Sequence, residues 1–170
     1  MMKDNYYFKK ARIEDCPLIH ETAAKVWEPT YGDILSSEQL KYMFEWMYSV
    51  ESLERQIRNG HTFFLLYEIE EVIGYVSIEK EDKERYHLQK IYLIPEKQGK
   101  GLGKLLIQKA ESFVRECEPG KKIALVLNVN RNNKAFDFYT KQGFQIESEG
   151  DFPIGNGYYM NDYIMIKIIE

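Results

Sequence analysis

Between Ile91 and Leu106 the chain reads IYLIPEKQGKGLGKLL, with Gly99, Gly101 and Gly103 at alternate positions behind an apolar run that stops at Pro95. Glycines so placed at the mouth of a helix let backbone amides come close to an anion. The free N–H groups of the first turn and the positive end of the helix dipole supply the attraction. Lys97, Lys100 and Lys104 add local positive charge to a chain of net charge −4. The chemistry on offer is the holding of a phosphate or diphosphate. Two schemes for it fail on residues. A nucleotide-binding Walker loop needs glycine where Gln98 stands and Ser or Thr where Leu105 stands. A dinucleotide fingerprint needs a further glycine at Lys104, and an acid about 20 residues on, where Lys121 and Lys122 lie instead.

A third scheme fits. Gln98-Gly99-Lys100-Gly101-Leu102-Gly103 matches Q/R-x-x-G-x-G/A, and with it the chain resembles the Gcn5-related N-acetyltransferases, or GNAT family. A second stretch, LNVNRNNKAFDFYTKQGF, is similar to the family's later motif through Asn132, Ala135, Tyr139, Gly143 and Phe144. Each motif follows a strand-like run, and the two stand in the family's order. The resemblance covers about 61–168 well and the first 60 residues more loosely.

The resemblance implies an acetyl-coenzyme A site and assigns its parts. The pyrophosphate is expected on Gln98, Gly99, Lys100, Gly101, Leu102, Gly103 and Lys104, and the pantetheine arm along a bulged strand at Ile91, Tyr92 and Leu93. A free N–H there would polarise the thioester carbonyl and steady the oxyanion. Asn132 and Lys134 are carried over as further coenzyme A contacts; Asn132 also reads as a helix N-cap. Tyr139 takes the role of general acid to the departing thiolate, with a core tyrosine beside Ala135 and Phe138 as the alternative. A phenol of pKa about 10 can protonate a thiolate whose conjugate acid is near 8.5.

The base is less plain. Relatives often carry glutamate on the strand before the loop, where YHLQKIY offers His87 and Gln89. His87 is a candidate because imidazole titrates near neutrality; a water chain from Glu79 is another. A covalent route through Cys117 is disfavoured by its place at a helix C-terminus, which opposes a thiolate.

Segment 14–59 holds nine acids against four bases, and 147–162 holds four acids and neither Lys nor Arg. Fields of this sign gather cations, although solvated helix faces give the same counts. Trp27, Glu28 and Tyr31, with Tyr42, Phe44, Trp46 and Tyr48, are candidates to line an alkylamine pocket, or else core. The stretches VWEPTYGDILSSEQLKYMF and DFPIGNGYYMNDYIMIK are also similar to bacterial spermidine/spermine N-acetyltransferases. A polyamine or small cationic amine is therefore the expected acceptor. A protein amino terminus or lysine, a xenobiotic amine, and a non-catalytic coenzyme A sensor are the alternatives. The family often forms dimers, so a homodimer is open here too.

The whole composition agrees. At 170 residues and 44% apolar the chain suits one globular domain, 1–170. It has no run near the ~18 apolar residues of a membrane span, and a start, MMKDNYYFKKAR, that lacks a signal's apolar stretch. Two distant cysteines and three isolated histidines exclude a patterned metal site and suit a cytoplasmic setting. The acidic balance argues against nucleic acid.

The elements that must position these residues read as strand 6–13, helices within 14–59, strands 61–69, 72–80 and 86–94, helix 101–117, strand 121–129, a short helix ending at Gly143, and two closing strands. Asp15 caps the first helix and Pro29 closes it; the first hairpin turns at Glu70-Glu71. This is one α/β domain, and the resemblance makes its sheet mixed, mostly antiparallel and six- to seven-stranded, flanked by helices.

Overall fold

A computed structural model describes residues 5–170. Seven strands form one sheet in the order β1-β2-β3-β4-β5-β7-β6. They are β1 (Tyr6–Lys10), β2 (Thr62–Glu68), β3 (Glu71–Asp82), β4 (Arg85–Leu93), β5 (Ile123–Asn130), β6 (Gln145–Gly155) and β7 (Tyr158–Ile169). All neighbours are antiparallel except β4 and β5. Five helices cover the two faces: α1 (Cys16–Tyr31), α2 (Ser37–Tyr48), α3 (Val50–Arg58), α4 (Leu102–Cys117) and α5 (Ala135–Lys141).

The central strands are apolar on both sides because helices cover both. On one face α4 and α5 bury Leu106, Ala110, Val114 and Tyr139 against residues such as Val76, Leu88 and Leu125. On the other, α1 to α3 bury Ile19, Ala23, Met43 and Leu53 against Phe63, Leu65 and Tyr75. Local chemistry fixes the helix starts. Ser36 Oγ accepts the Gln39 N–H at 3.1 Å, and Ser49 Oγ accepts the Ser52 N–H at 3.2 Å.

Three expectations are corrected. Pro29 lies inside α1, which runs on to Tyr31. Its missing N–H opens the ladder without ending the helix, because Val26 and Trp27 just before it are anchored in the core and the Gly32 N–H still reaches Glu28 O at 2.8 Å. The first strand stops at Lys10, where the chain turns into α1 through a short 3-10 turn. The first hairpin turns at Ile69 and Glu70, with Ile69 at φ +59°.

What positions the site is a parting in the sheet. The β4–β5 ladder has only Arg85↔Ala124, Tyr86↔Leu125 and His87↔Val126. β4 goes on to Leu93 and β5 to Asn130 with no pairing between them. On its other side β4 stays paired with β3 as far as Leu93, but the register slips between Ser77 and Ile78, leaving Gln89 without an opposite residue. The bulge sits at Gln89, on the strand the resemblance named and just before Ile91–Leu93. It sends Gln89 and Lys90 into the same cavity, which strict alternation forbids.

Candidate active site

Two cavities open from the parting. The larger, about 790 Å³, runs between the α4 loop and α5. The smaller, about 490 Å³, lies under α1 to α3. Tyr31, Gln89, Tyr92 and Asn128 line both, so the two meet between the split strands.

The larger cavity gathers most of the residues expected at a coenzyme A site: Ile91, Tyr92, Leu93, Gln98, Gly99, Gly101, Gly103, Asn132, Lys134 and Tyr139. The three glycines do different work. Gly99 and Gly101 sit at φ +78° and +81°, and a Cβ on either would meet nothing within 4 Å. Glycine is needed there for the backbone conformation, and the space in front is clear. A Cβ on Gly103 would come within 3.0 Å of the Phe138 ring, so this glycine lets α4 lie against α5. Gln98 braces the loop by donating its Nε2 to Leu93 O at 2.9 Å. The first turn of α4 follows Gly101 with its amide donors free of intrahelical partners. That cradle, clear of side chains, fits a diphosphate.

Three expected contacts are not among the cavity's lining. Leu102 is a core residue, while Lys100 and Lys104 point to solvent. Lys97 is paired with Glu68, which takes up its charge. Asn132 lines the cavity but does not cap α5; the side chain that accepts a first-turn N–H is Asn133, from Ala135 at 2.9 Å.

Tyr139 is buried at 7% exposure, and its burial raises its pKa, so the phenol stays protonated. Tyr31 and Tyr92 share a hydrogen bond of 2.8 Å between their hydroxyls, and burial raises both pKa values too.

The smaller cavity differs from what residue counts suggest. None of the nine acids of 14–59 lines it. They lie elsewhere; Glu28 is exposed and lines neither cavity, whereas Trp27 and Tyr31 do line it. Trp27 Nε1 is engaged with Leu40 O at 3.2 Å. On β6 the acids are matched from outside the segment: Glu147 by Arg85 at 2.8 Å, and Glu149 and Asp151 by Arg131. Asp162 is the carboxylate in the cavity wall, which also holds Arg55, Lys90, His61 and His87. Lys90, 5% exposed, donates to Gln56 Oε1 at 2.8 Å, and burial pushes its pKa down to about 8 despite nearby Glu79. His87 Nδ1 meets Glu81 Oε2 at 2.9 Å. His61 Nε2 lies 3.5 Å from Glu79, burial lowers its pKa, and its Nδ1 is buried with no partner.

Sequence reasoning missed Asn128, Lys90 and His61, and it counted Asp162 among the acids of 147–162 without setting it apart. Nothing in one sequence shows which strands part, and that parting is what brings β4, β5 and β7 to one spot.

The fold, the glycine cradle and the paired cavities define an acetyltransferase of the GNAT type, and comparison agrees. The profile described as "Acetyltransferase (GNAT) domain" matches residues 33–153, and the chain belongs to that family. It is an acetyl-coenzyme A-dependent N-acetyltransferase. The chain is 30% identical to a spermidine N(1)-acetyltransferase of Thermoplasma acidophilum, covering 95% of this chain and 96% of that one. A crystal structure of the PaiA N-acetyltransferase from Thermoplasma acidophilum in complex with coenzyme A superposes with a TM-score of 0.80 at 29% identity, covering 96% and 99% of the two chains. A GCN5-related N-acetyltransferase from Rhodopseudomonas palustris shares the fold with a TM-score of 0.80 at 19% identity, over 99% of both. Among the described residues no helix is long and apolar enough to cross a membrane, and no cluster of His, Cys, Asp or Glu could hold a metal ion.

Proposed function

We propose that the protein moves the acetyl group directly to a small cationic amine, with a polyamine as the first candidate, in a complex that holds donor and acceptor together. The observation that carries this is the meeting of the two cavities at Tyr31, Gln89, Tyr92 and Asn128. Each substrate has its own cavity, and the reacting atoms come together where the strands part. The loop at Gln98–Gly103 holds the diphosphate on backbone amides. The unpaired backbone of β4 from Leu88 to Leu93 runs beside the pantetheine arm, with Asn132 and Lys134 on its far side. Tyr139, kept protonated by burial, gives its proton to the leaving sulfur.

The polyamine reading is supported by the identity to the Thermoplasma enzyme and by aromatic side chains around the second cavity. Trp27 and Tyr31 line its wall; Trp46 and Tyr159, each about half exposed, stand where methylenes and ammonium groups can pack. The acid counts lend little support, since of the thirteen side chains counted only Asp162 lines this cavity. Lys90 and Arg55 favour a second reading, an acceptor that joins its amine to an acidic group, as an acidic protein amino terminus does.

The test has two parts. Gly101→Asp puts a side chain and a negative charge into the cradle, and calorimetry should show coenzyme A affinity falling about 100-fold or more; equal affinity would remove the site assignment. Coenzyme A release is then compared across spermidine, spermine, an acidic peptide, a lysine peptide and an aminoglycoside. A peptide or the aminoglycoside outpacing both polyamines by about tenfold in kcat/KM would end the polyamine reading. Binding with no release for any amine would favour a coenzyme A sensor.

A further inference from the structure

One carboxylate in the acceptor cavity has no use in the fold. Asp162, on β7, is 2% exposed. Among the described residues no Lys, Arg or His nitrogen lies within salt-bridge distance of it, and its side-chain hydrogen bond is a long one, 3.3 Å from Asn128 Nδ2. A carboxylate taken out of water with one long hydrogen bond is destabilising by several kcal/mol. Packing alone would be served better by an apolar residue of the same size.

Its neighbour is unsatisfied in a matching way. A carboxylate can only accept, so the Asn128 amide must turn its NH2 towards Asp162, which leaves its oxygen facing elsewhere. That oxygen, Asn128 Oδ1, is buried and has no partner. Two acceptors thus stand side by side and call for N–H donors. Asn128 lines both cavities, so the vacancy in hydrogen bonding lies where acceptor meets donor.

Resting on the acetyltransferase reading above, we infer that Asp162 and Asn128 Oδ1 bind the reacting nitrogen of the acceptor as an ammonium, and that Asp162 takes its first proton. The balance is simple. The ammonium gives one proton to the Asp162 carboxylate and becomes a free amine. Its lone pair forms the C–N bond to the thioester carbonyl, whose π electrons move to oxygen. As they return, the C–S bond breaks and its pair leaves on sulfur, which takes the Tyr139 phenol proton. The second N–H proton restores Tyr139, and the Asp162 proton passes to water. One acetyl group has moved and one proton is released.

The surroundings suit this role. Burial raises the Asp162 pKa, which makes it a better base than an exposed aspartate, and the Asn128 hydrogen bond and then Arg131 oppose this only in part. Arg131 is itself paired with Glu149 and Asp151 on β6. The other charged or titratable groups lining the cavity are Tyr31 from α1, Arg55 from α3, His61 before β2, His87, Lys90 and Tyr92 from β4, and Tyr159 from β7. Tyr31 lies close enough for the Asp162 charge to raise its pKa. His87 is less suited, because Glu81 engages its Nδ1.

The experiment uses Asp162→Asn and Asn128→Leu, with the fastest acceptor of the panel. In Asp162→Asn, kcat/KM should fall by about 10²–10³ while coenzyme A affinity stays within about twofold. The acid limb of the wild-type pH profile should vanish; the variant's rate should instead climb with pH, following free amine in solution. Calorimetry on coenzyme A-loaded protein adds a readout independent of turnover: affinity for spermidine should fall about tenfold or more in both variants. Asn128→Leu leaves Asp162 intact and carries the binding test if Asp162→Asn does not fold. The inference is overturned if kcat/KM stays within about threefold with the acid limb in place, if His87→Gln rather than Asp162→Asn removes that limb, or if both variants bind amine as wild type does. Wild-type protein that releases no coenzyme A with any amine would instead sink the acetyltransferase reading, and the binding arm would still decide on Asp162.

Discussion

The two cavities are built by opposite means. The donor cavity carries two short motif stretches, Gln98–Gly103 and Asn132–Tyr139, beside walls from α1, β4 and β5, and its glycine cradle is backbone. The acceptor cavity draws a few side chains from each of α1, α2, α3, β4, β5 and β7. A site built on backbone needs particular residues at fixed spacing, because conformation dictates them. A site built on side chains from many elements needs only that the fold bring them together. The first leaves a signature in the sequence and the second does not. An enzyme of this design can change its acceptor by single substitutions while the donor site stays the same.

Three substitutions sharpen this contrast. The largest effect is expected at Tyr139, the donor-side residue proposed as the general acid. Tyr139→Phe keeps the ring and removes the acid, so single-turnover rates should fall by about 10²–10⁴ with coenzyme A affinity nearly unmoved. A rate within about threefold of wild type would leave Tyr139 as a packing residue of α5. Next comes Gly103→Val, which tests whether the glycines of one motif do separate jobs. Its Cβ and methyls press on Phe138, and thermal unfolding without ligand should show a loss of about 1–3 kcal/mol. Unchanged stability would mean that α4 and α5 do not lock through this position.

The smallest effect is expected on the acceptor side. Lys90 has its folded pKa lowered from 10.5 to about 8, so between those values the unfolded chain binds more protons and stability rises with pH. Lys90→Met should flatten that rise. At pH 7 it should gain about 1–2 kcal/mol, because the cost of the buried charge exceeds the lost Gln56 hydrogen bond. The same variant sorts acceptors: the KM for spermidine should fall, whereas that for an acidic peptide should rise. Equal KM shifts for both would show that Lys90 does not face the acceptor.

The fold was legible where periodicity is strong. The α4 pattern, the Ser36 cap and the meander β2–β4 are set by local chemistry. Pro29 misled because tertiary anchoring at Val26 and Trp27 outweighs one lost hydrogen bond. Glu28 and the acid counts misled for a different reason: charge in a sequence carries no direction, and most of these side chains face solvent or outside arginines. The register slip at Gln89 was invisible too, since it depends on how β3 and β4 pair.

The three-pair join between β4 and β5 has a mechanical side. The sheet is in effect two panels, β1–β4 and β5–β7, hinged along Arg85–His87 and Ala124–Val126 and open beyond. On the proposed reading, an extended pantetheine arm in that opening would take the place of a missing strand. Donor binding would then close a seam, and the two panels would be most firmly joined in the loaded enzyme.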